Sequence, residues 1–468
     1  MLAPLLAAAL AGSSVSFAQV NDPAGASPST STPVVAADSS TGGTVEPEPL
    51  PGNLPVALTE QLPTEADAAA VEPPLPVAED PETAAEPSEP AVDEVSATPR
   101  RFRYAISVEA RGVYDDNVTL SRNENRREDF SAQIEGRVVF GIGDVLERQA
   151  NYVSFSYSPT AYFYINNSEF NTLEHIAHLE GRWRPGRFAF TLSQDFTSVQ
   201  STNLGVINES GGFNNQANLD VGGRRRVTTY STRFGAAADL TGKTSFTFGA
   251  QYSLVDPEDL IGSETLAGSI GFNYQLGPKL SLGVDLSVGQ NFVEGPSPDQ
   301  TFEQLTVRAS YEISEKLRAN GSAGFEFRQS EVESDDQVSP IFQLGMSYKP
   351  FDGTSFGASA TRRTLNSASV FGQDFTSTQV TFNAQQRFFQ RAFLSLSTGY
   401  QHQTYFSRIS GVAADREDDY YFVVPGIDVR VTKFWFAGIY YVSRQNDSSL
   451  EFFSFDDNQF GFRSNLQF

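Results

Sequence analysis

The chain has 468 residues, with no cysteine and only two Met and two Trp, but 38 Phe and 17 Tyr. A formal net charge of −24 argues against nucleic acid as a partner. No run of apolar residues after the amino terminus is long enough for a transmembrane helix, which excludes helical membrane proteins.

Charge divides the chain into two materials. Residues 1–99 hold no Lys or Arg and fifteen of the 57 acidic residues, whereas all 33 basic residues follow. Residues 1–18 read as a secretion signal: 2–10 is an apolar run, and Ser16-Phe17-Ala18 is a small-x-small cleavage site before Gln19, although no basic residue precedes the run. Residues 19–100 are rich in Pro, Ala, Glu, Ser and Thr and nearly free of aromatics. Such a stretch buries too little apolar surface to offset the entropy of ordering it, so a disordered, acidic periplasmic segment is expected.

From 101 to 468 the pattern is period two. Phe246, Phe248, Ala250, Tyr252 and Leu254 alternate with Ser245, Thr247, Gly249, Gln251 and Ser253, and 264–276 and 279–292 repeat the rhythm. A strand sends alternate side chains to opposite faces, so each such segment has one oily and one polar face. In chain order, strands are expected at 102–114, 130–141, 151–165, 172–184, 187–199, 227–240, 244–255, 264–276, 279–292, 302–314, 317–329, 338–349, 354–365, 376–388, 391–406, 419–432, 434–445 and 456–468. The connections fall into two length classes. Tight turns such as Pro185-Gly186, Gly277-Pro278 and Thr432-Lys433 alternate with longer polar loops such as 115–129, 200–226 and 407–418. These features predict an all-β fold: a transmembrane, antiparallel, up-and-down β-barrel of about eighteen strands, or sixteen if the hairpin around 165–172 or 445–456 is misread.

The final segment is the strongest signal. Phe460, Phe462, Leu466 and Phe468 share one parity, opposite Gln459, Gly461, Arg463, Asn465 and Gln467. A closing strand that ends on an aromatic residue suits an outer-membrane barrel and resembles the signal read by the barrel-assembly machinery. An even strand count then places both ends of the barrel in the periplasm, with outer-membrane lipid and lipopolysaccharide around it.

If the apolar parity faces lipid, the other parity lines the lumen. Its candidate pore-lining charges are Arg111, Glu135, Arg137, Arg233, Asp239, Asp285, Arg308, Glu312, Arg318, Glu326, Arg328, Arg387, Asp428, Arg430 and Arg463, with Glu109 beside them. Cross-strand pairing of such groups lowers their desolvation cost. Loop 200–226, with Gly211-Gly212-Phe213 and Arg224-Arg225-Arg226, is the candidate for an inward-folding constriction. No aromatic ladder is evident on the inward parity, so sugar binding is not read from contacts.

Signals for catalysis are weak. Of the three histidines, His175 and His178 are three apart, which on a strand puts them on opposite faces and prevents a shared metal. His402 has no carboxylate within two residues. No enzyme activity, cofactor or metal is expected.

The first hairpin reads Val113-Tyr114-Asp115-Asp116-Asn117-Val118, followed by Glu128-Asp129-Phe130. With the barrel pattern over 101–468, this Tyr-Asp-Asp-Asn turn resembles the opening of the beta-barrel porin 2 family. Short acidic and amide side chains cap such a turn and offer a cation oxygens at the rim. The resemblance implies an outer-membrane pore, often one that serves exopolysaccharide export with periplasmic synthesis components; the acidic amino-terminal segment departs from the family pattern. A channel for hydrophilic solutes or polysaccharide is therefore the leading expectation, and a closed structural or adhesive barrel with partner-binding loops is the alternative.

Overall fold

The structure is a computed structural model. It describes residues 102–122, 125–143, 151–200, 220, 223–295, 297–330, 337–351, 353–367, 369–389, 391–409 and 415–468. The secretion signal and the acidic segment expected at 1–100 lie outside the described residues, as does Gly211-Gly212-Phe213.

Eighteen strands follow one another: β1 (Phe102–Asp115), β2 (Asp129–Gly143), β3 (Tyr152–Tyr164), β4 (Thr172–Trp183), β5 (Phe188–Gln200), β6 (Arg226–Asp239), β7 (Thr244–Pro257), β8 (Ser263–Gly277), β9 (Leu280–Val293), β10 (Gln300–Ser314), β11 (Leu317–Ser330), β12 (Gln337–Phe351), β13 (Thr354–Asn366), β14 (Gln373–Phe388), β15 (Ala392–Ser407), β16 (Glu417–Arg430), β17 (Trp435–Ser448) and β18 (Phe455–Gln467). Each pairs antiparallel with its sequence neighbours. The cylinder closes where β1 meets β18, in a register running from Ser107↔Gln467 to Asp115↔Gln459. Closure removes the unpaired edges that an open sheet would present. Both hairpins that would have reduced the count to sixteen are present, β3–β4 and β17–β18. Among the described residues no helix is long and apolar enough to cross a membrane.

Inside and outside follow from parity. Phe140, Phe272, Val307 and Phe462 are exposed on the outer face, at 41%, 47%, 58% and 51%. Large apolar side chains left outside across eighteen strands make no sense in water, where each would forgo about 1.5–3 kcal/mol of burial. They make sense against hydrocarbon, which also requires every backbone group to be paired, as a closed ladder ensures.

The two ends carry different aromatic bands. At the tight-turn end Phe102 stacks on Phe140, Trp183 on Phe190 and Phe434 on Phe468. At the long-loop end tyrosines join phenylalanines such as Phe130 and Phe163, and four hydroxyls find partners: Tyr114 donates to Glu128, Tyr252 to Glu264, Tyr400 to Asp419 and Tyr441 to Asn458. Aromatic girdles at both rims are the usual flanks of a membrane barrel's apolar band. The turns are local chemistry: Gly186 takes φ +63 directly after Pro185, a left-handed conformation that a residue with a Cβ adopts at a cost.

Candidate functional site: the lumen wall and its mouth

Registers and burial put Arg111, Glu135, Arg137, Arg233, Asp239, Asp285, Arg308, Glu312, Arg318, Glu326, Arg328, Arg387, Asp428, Arg430 and Arg463 on the inward parity of their strands. Several meet each other. Arg111 bridges Glu109 on its own strand and Glu135 on β2, and Asn465 donates to Glu109 at 2.8 Å. Arg463 grips Asp428 with two parallel N–H bonds across β17. Arg308 reaches Asp285 at 3.2 Å and Asn273 at 2.6 Å. Near the tight-turn end Arg318 faces Glu312 at 3.3 Å, both well exposed. Bidentate Arg–carboxylate pairs fix both side chains geometrically, so such pairs stiffen the wall.

Other candidates take partners that the sequence pattern did not single out. Arg233 pairs with Asp195 at 3.1 Å, and Asp195 also meets His178 at 2.6 Å. Asp239 meets Arg184 of the β4–β5 turn at 3.4 Å. Arg430 lies over the rings of Phe393 and Phe436. Asp195 sits on the inward parity of β5, so its alternation could have revealed it.

Aromatic rings do face inward at the loop end, as a packed cluster that sequence alternation did not single out. Tyr420, Phe422, Tyr440 and Phe455 form a buried cluster with Val113, Leu120, Val424 and Val442 along β16–β18 and β1. Two of these rings, Tyr440 and Phe422, fit because glycines stand opposite them. A Cβ on Gly461 would lie 2.2 Å from the Tyr440 ring, and one on Gly399 2.6 Å from the Phe422 ring. The cluster packs as core and presents no ladder along the lumen. The wall of β7–β9 across the barrel is small and polar instead, carrying Ser245, Thr247, Gln251, Thr265 and Asn273.

The mouth at the loop end is built where β13 parts from β12, while β14 stays paired with β15 as far as Gln373↔Ser407. β12 pairs with β13 only as far as Phe342↔Arg362, whereas β13 and β14 stay zipped to Asn366↔Asp374. The freed end of β13–β14 leans over the lumen toward β9–β11. Arg328 donates to Thr364 O at 3.0 Å, Asn291 to Asn366 at 3.1 Å and Gln300 to Asp374 at 2.9 Å. Asp374 is fully buried, and Arg408 donates to it at 2.9 Å. Glu326 and Phe302 complete the nest, the first bonded to Arg328 at 2.9 Å and the second lying under its guanidinium.

Asp220, between β5 and β6, joins this structure. Its carboxylate accepts from Ser369 at 2.7 Å and from Ser367 at 3.1 Å, with Arg416 at 3.5 Å. Burial pushes the Asp220 carboxyl above its usual range, against the opposing pull of Arg416. Arg416 also clamps Asp418, at 2.6 and 3.1 Å, and lies over the rings of Tyr405 and Phe453. Arg224 of the same loop instead stacks on Tyr164 and Phe170 at the rim. Asp220, Asp374, Arg408 and Arg416 escaped sequence reasoning. Three of them lie in loops, where parity says nothing, and Asp374 has the parity of lipid-facing Val380 and Phe382.

The Tyr-Asp-Asp-Asn turn has a structural reason. Asp115 accepts the Asn117 backbone N–H at 2.7 Å, closing a local turn. Asn117, fully buried, donates to Ser121 O and Asp456 O at 2.9 and 2.6 Å. Asp116 accepts from the Asn458 backbone at 2.8 Å. Three short side chains thereby stitch the first hairpin to the last strand. At the other end of that seam, Phe468 N–H donates to Ile106 O at 2.8 Å, and Phe460 and Phe462 point outward. Leu466 is half-buried.

His175 faces outward, against Tyr157, while His178 faces the lumen. His402 gains a carboxylate that local sequence does not show: Asp419 of β16 lies 2.9 Å from its Nδ1, and Thr404 lies 3.1 Å from its Nε2. The same Asp419 oxygen accepts the Tyr400 hydroxyl at 2.6 Å, so this outer-face group is shared within the tyrosine band.

No family model matches the chain, and no curated protein matches it. Among solved structures it is similar to OccK2 (OpdF) of Pseudomonas aeruginosa, at 10% identity and a TM-score of 0.44, covering 78% of this chain and 98% of that one. OccAB4 of Acinetobacter baumannii is similar at 9% identity and a TM-score of 0.41, with the same coverage. The outer membrane protein OpdK of Pseudomonas aeruginosa is similar at 11% and 0.40, also with that coverage. Likenesses this distant say nothing of what this chain does.

Proposed function

We propose that the protein is an outer-membrane channel through which small hydrophilic solutes diffuse along a polar, charge-paired lumen narrowed at the loop end. One observation carries this reading: a closed eighteen-strand ring whose outer face is apolar and whose inner parity carries paired charges and hydroxyls. Eighteen strands enclose more space than their own side chains fill, as in porins. In this reading the tight-turn end faces the periplasm and the long loops face outward. The outward terminal pattern of Phe460, Phe462, Leu466 and Phe468 is then what the assembly machinery engages, and the inward charges are the pore lining.

Small solutes are favoured over a polymer because the end of the β13–β14 hairpin leans over the lumen and is bonded to β9–β11. Polysaccharide export, which the first-hairpin resemblance implies, would require that hairpin to swing out. Reconstitution into liposomes tests the proposal. Stepwise conductance, and swelling rates that fall with sugar size, are expected. Vesicles that stay sealed both with the native protein and after deletion of 367–372 would reject a channel and leave the closed, partner-binding barrel.

A further inference from the structure

The mechanism of passage leaves unused an acidic group at the seam. Carboxylate oxygens of Asp115, Asp116 and Asp457 converge to within 4.8 Å of one another, from the last residue of β1, the loop after it and the start of β18. Asp115 spends one oxygen on the Asn117 backbone and the other on the Gln459 amide, at 2.7 and 3.0 Å. Asp457 is fully buried, and its Oδ2 accepts from Arg444 and Gln459. Its Oδ1 is buried and has no hydrogen-bond partner. A buried carboxylate oxygen left without a donor costs free energy unless something positive meets it.

Local charge does not balance. Asp115, Asp116, Asp456 and Asp457 face two guanidiniums, Arg444 on Asp457 and Arg126 on Asp116 and Asp456. Two negative charges remain. Asp129, opposite Asp115 in the β1–β2 register, is committed elsewhere: its carboxylate takes the backbone and side-chain donors of Asn166 and Asn167. Asp116 is partly open to solvent, which gives an ion a way in.

We propose that Asp115, Asp116 and Asp457 bind a hard divalent cation of the calcium class, and that this ion clasps the first and last strands where the barrel closes. Oxygen-only ligands and a surplus of two negative charges suit such an ion, and three carboxylates on a pre-formed rim suit the millimolar-range affinities of extracellular sites. The clasp would reinforce the stitching already made by Asp116 and Asn117 to β18.

The test uses purified full-length protein stripped with a chelator. Terbium is the probe, because Tyr114 adjoins Asp115 and tyrosine excitation sensitises bound terbium. Calcium should quench the tyrosine-excited emission by competition and raise the temperature at which the barrel unfolds in detergent. Asp116→Asn should weaken calcium competition by about tenfold or more and abolish the thermal shift. Its partly exposed position keeps the test valid if Asp457→Asn fails to fold. Emission that calcium leaves unchanged, or competition equal in native protein and Asp116→Asn, would overturn the site.

Discussion

The two ends of the barrel solve opposite problems with the same alternating pattern. At the tight-turn end the Arg318–Glu312 pair is loosely held, its side chains 62% and 40% exposed, and the aromatic band is mainly phenylalanine and tryptophan with Tyr104 and Tyr348, where the Trp435 indole N–H donates to Ser464 at 2.9 Å. At the loop end, Asp374, Arg408, Arg416 and Asp418 are almost wholly buried, and the band includes tyrosines with bonded hydroxyls. An ion pair in water contributes little, whereas a buried charge that loses its partner is expensive. The contrast therefore predicts where the protein is rigid. The turn end is a wall standing in water, and the loop end is a solid assembly held by charges that cannot part cheaply.

The sharpest way to break this contrast is Asp374→Ala. It removes the carboxylate shared by Gln300 and Arg408 and lying 4.0 Å from Arg328. Arg408 would be left buried without its ion-pair partner, a loss of roughly 3–5 kcal/mol for a buried pair. Part of that loss can be avoided if the hairpin moves into water, so the expected outcome is release of β13–β14 from the mouth. Single-channel recordings should show larger or noisier conductance, and protease should gain access at 367–372. Unchanged conductance with unchanged protection would show that the hairpin is held by something other than these charges.

The same contrast explains what could be read in advance. The wall was legible because lipid outside and water inside impose a period of two on every strand, and because turn and loop lengths alternate. Phe246-Thr247-Phe248 and Leu282-Gly283-Val284 leave no choice of face. The mouth was not legible because β13 parts from β12 after Arg362 and the end of hairpin β13–β14 leans inward, and beyond that point parity no longer maps to inside and outside. Asp374 thus looks lipid-facing by position and is buried in fact. Inward rings such as Tyr440 were hidden for a related reason: they require Gly461 opposite, a pairing across strands that a single-strand pattern does not display.

Asp220 offers a finer test of the mouth. Its carboxyl lies above the ordinary range because burial disfavours its charge. A carboxyl with a raised folded-state pKa makes the folded state bind its proton more tightly than the unfolded chain does. Its stabilising contribution is therefore present at low pH and lost as pH rises through the raised value. Acidification should tighten the contact between Asp220 and the hairpin. Asp220→Asn should keep the bonds to Ser367 and Ser369 while removing that charge, and Arg416 stays paired with Asp418. The expected result is a variant no less stable than the parent near neutral pH, with a flatter dependence of melting temperature on pH above the ordinary carboxylate range. A steep loss of stability in the variant would show instead that Arg416 depends on the Asp220 charge.

The smallest effect belongs to the other end. Glu312→Ala deletes the partner of Arg318, but both side chains stand in water and keep most of their hydration. A solvent-exposed pair contributes about 0–1 kcal/mol and is screened further by salt. Unfolding in denaturant should therefore shift by no more than that, and conductance should change only in its preference between cations and anions, toward anions as a negative charge leaves the lumen. Should Glu312→Ala instead cost as much as Asp374→Ala, the turn end would have to be as tightly built as the mouth, and the asymmetry between exposed and buried charge would cease to account for either.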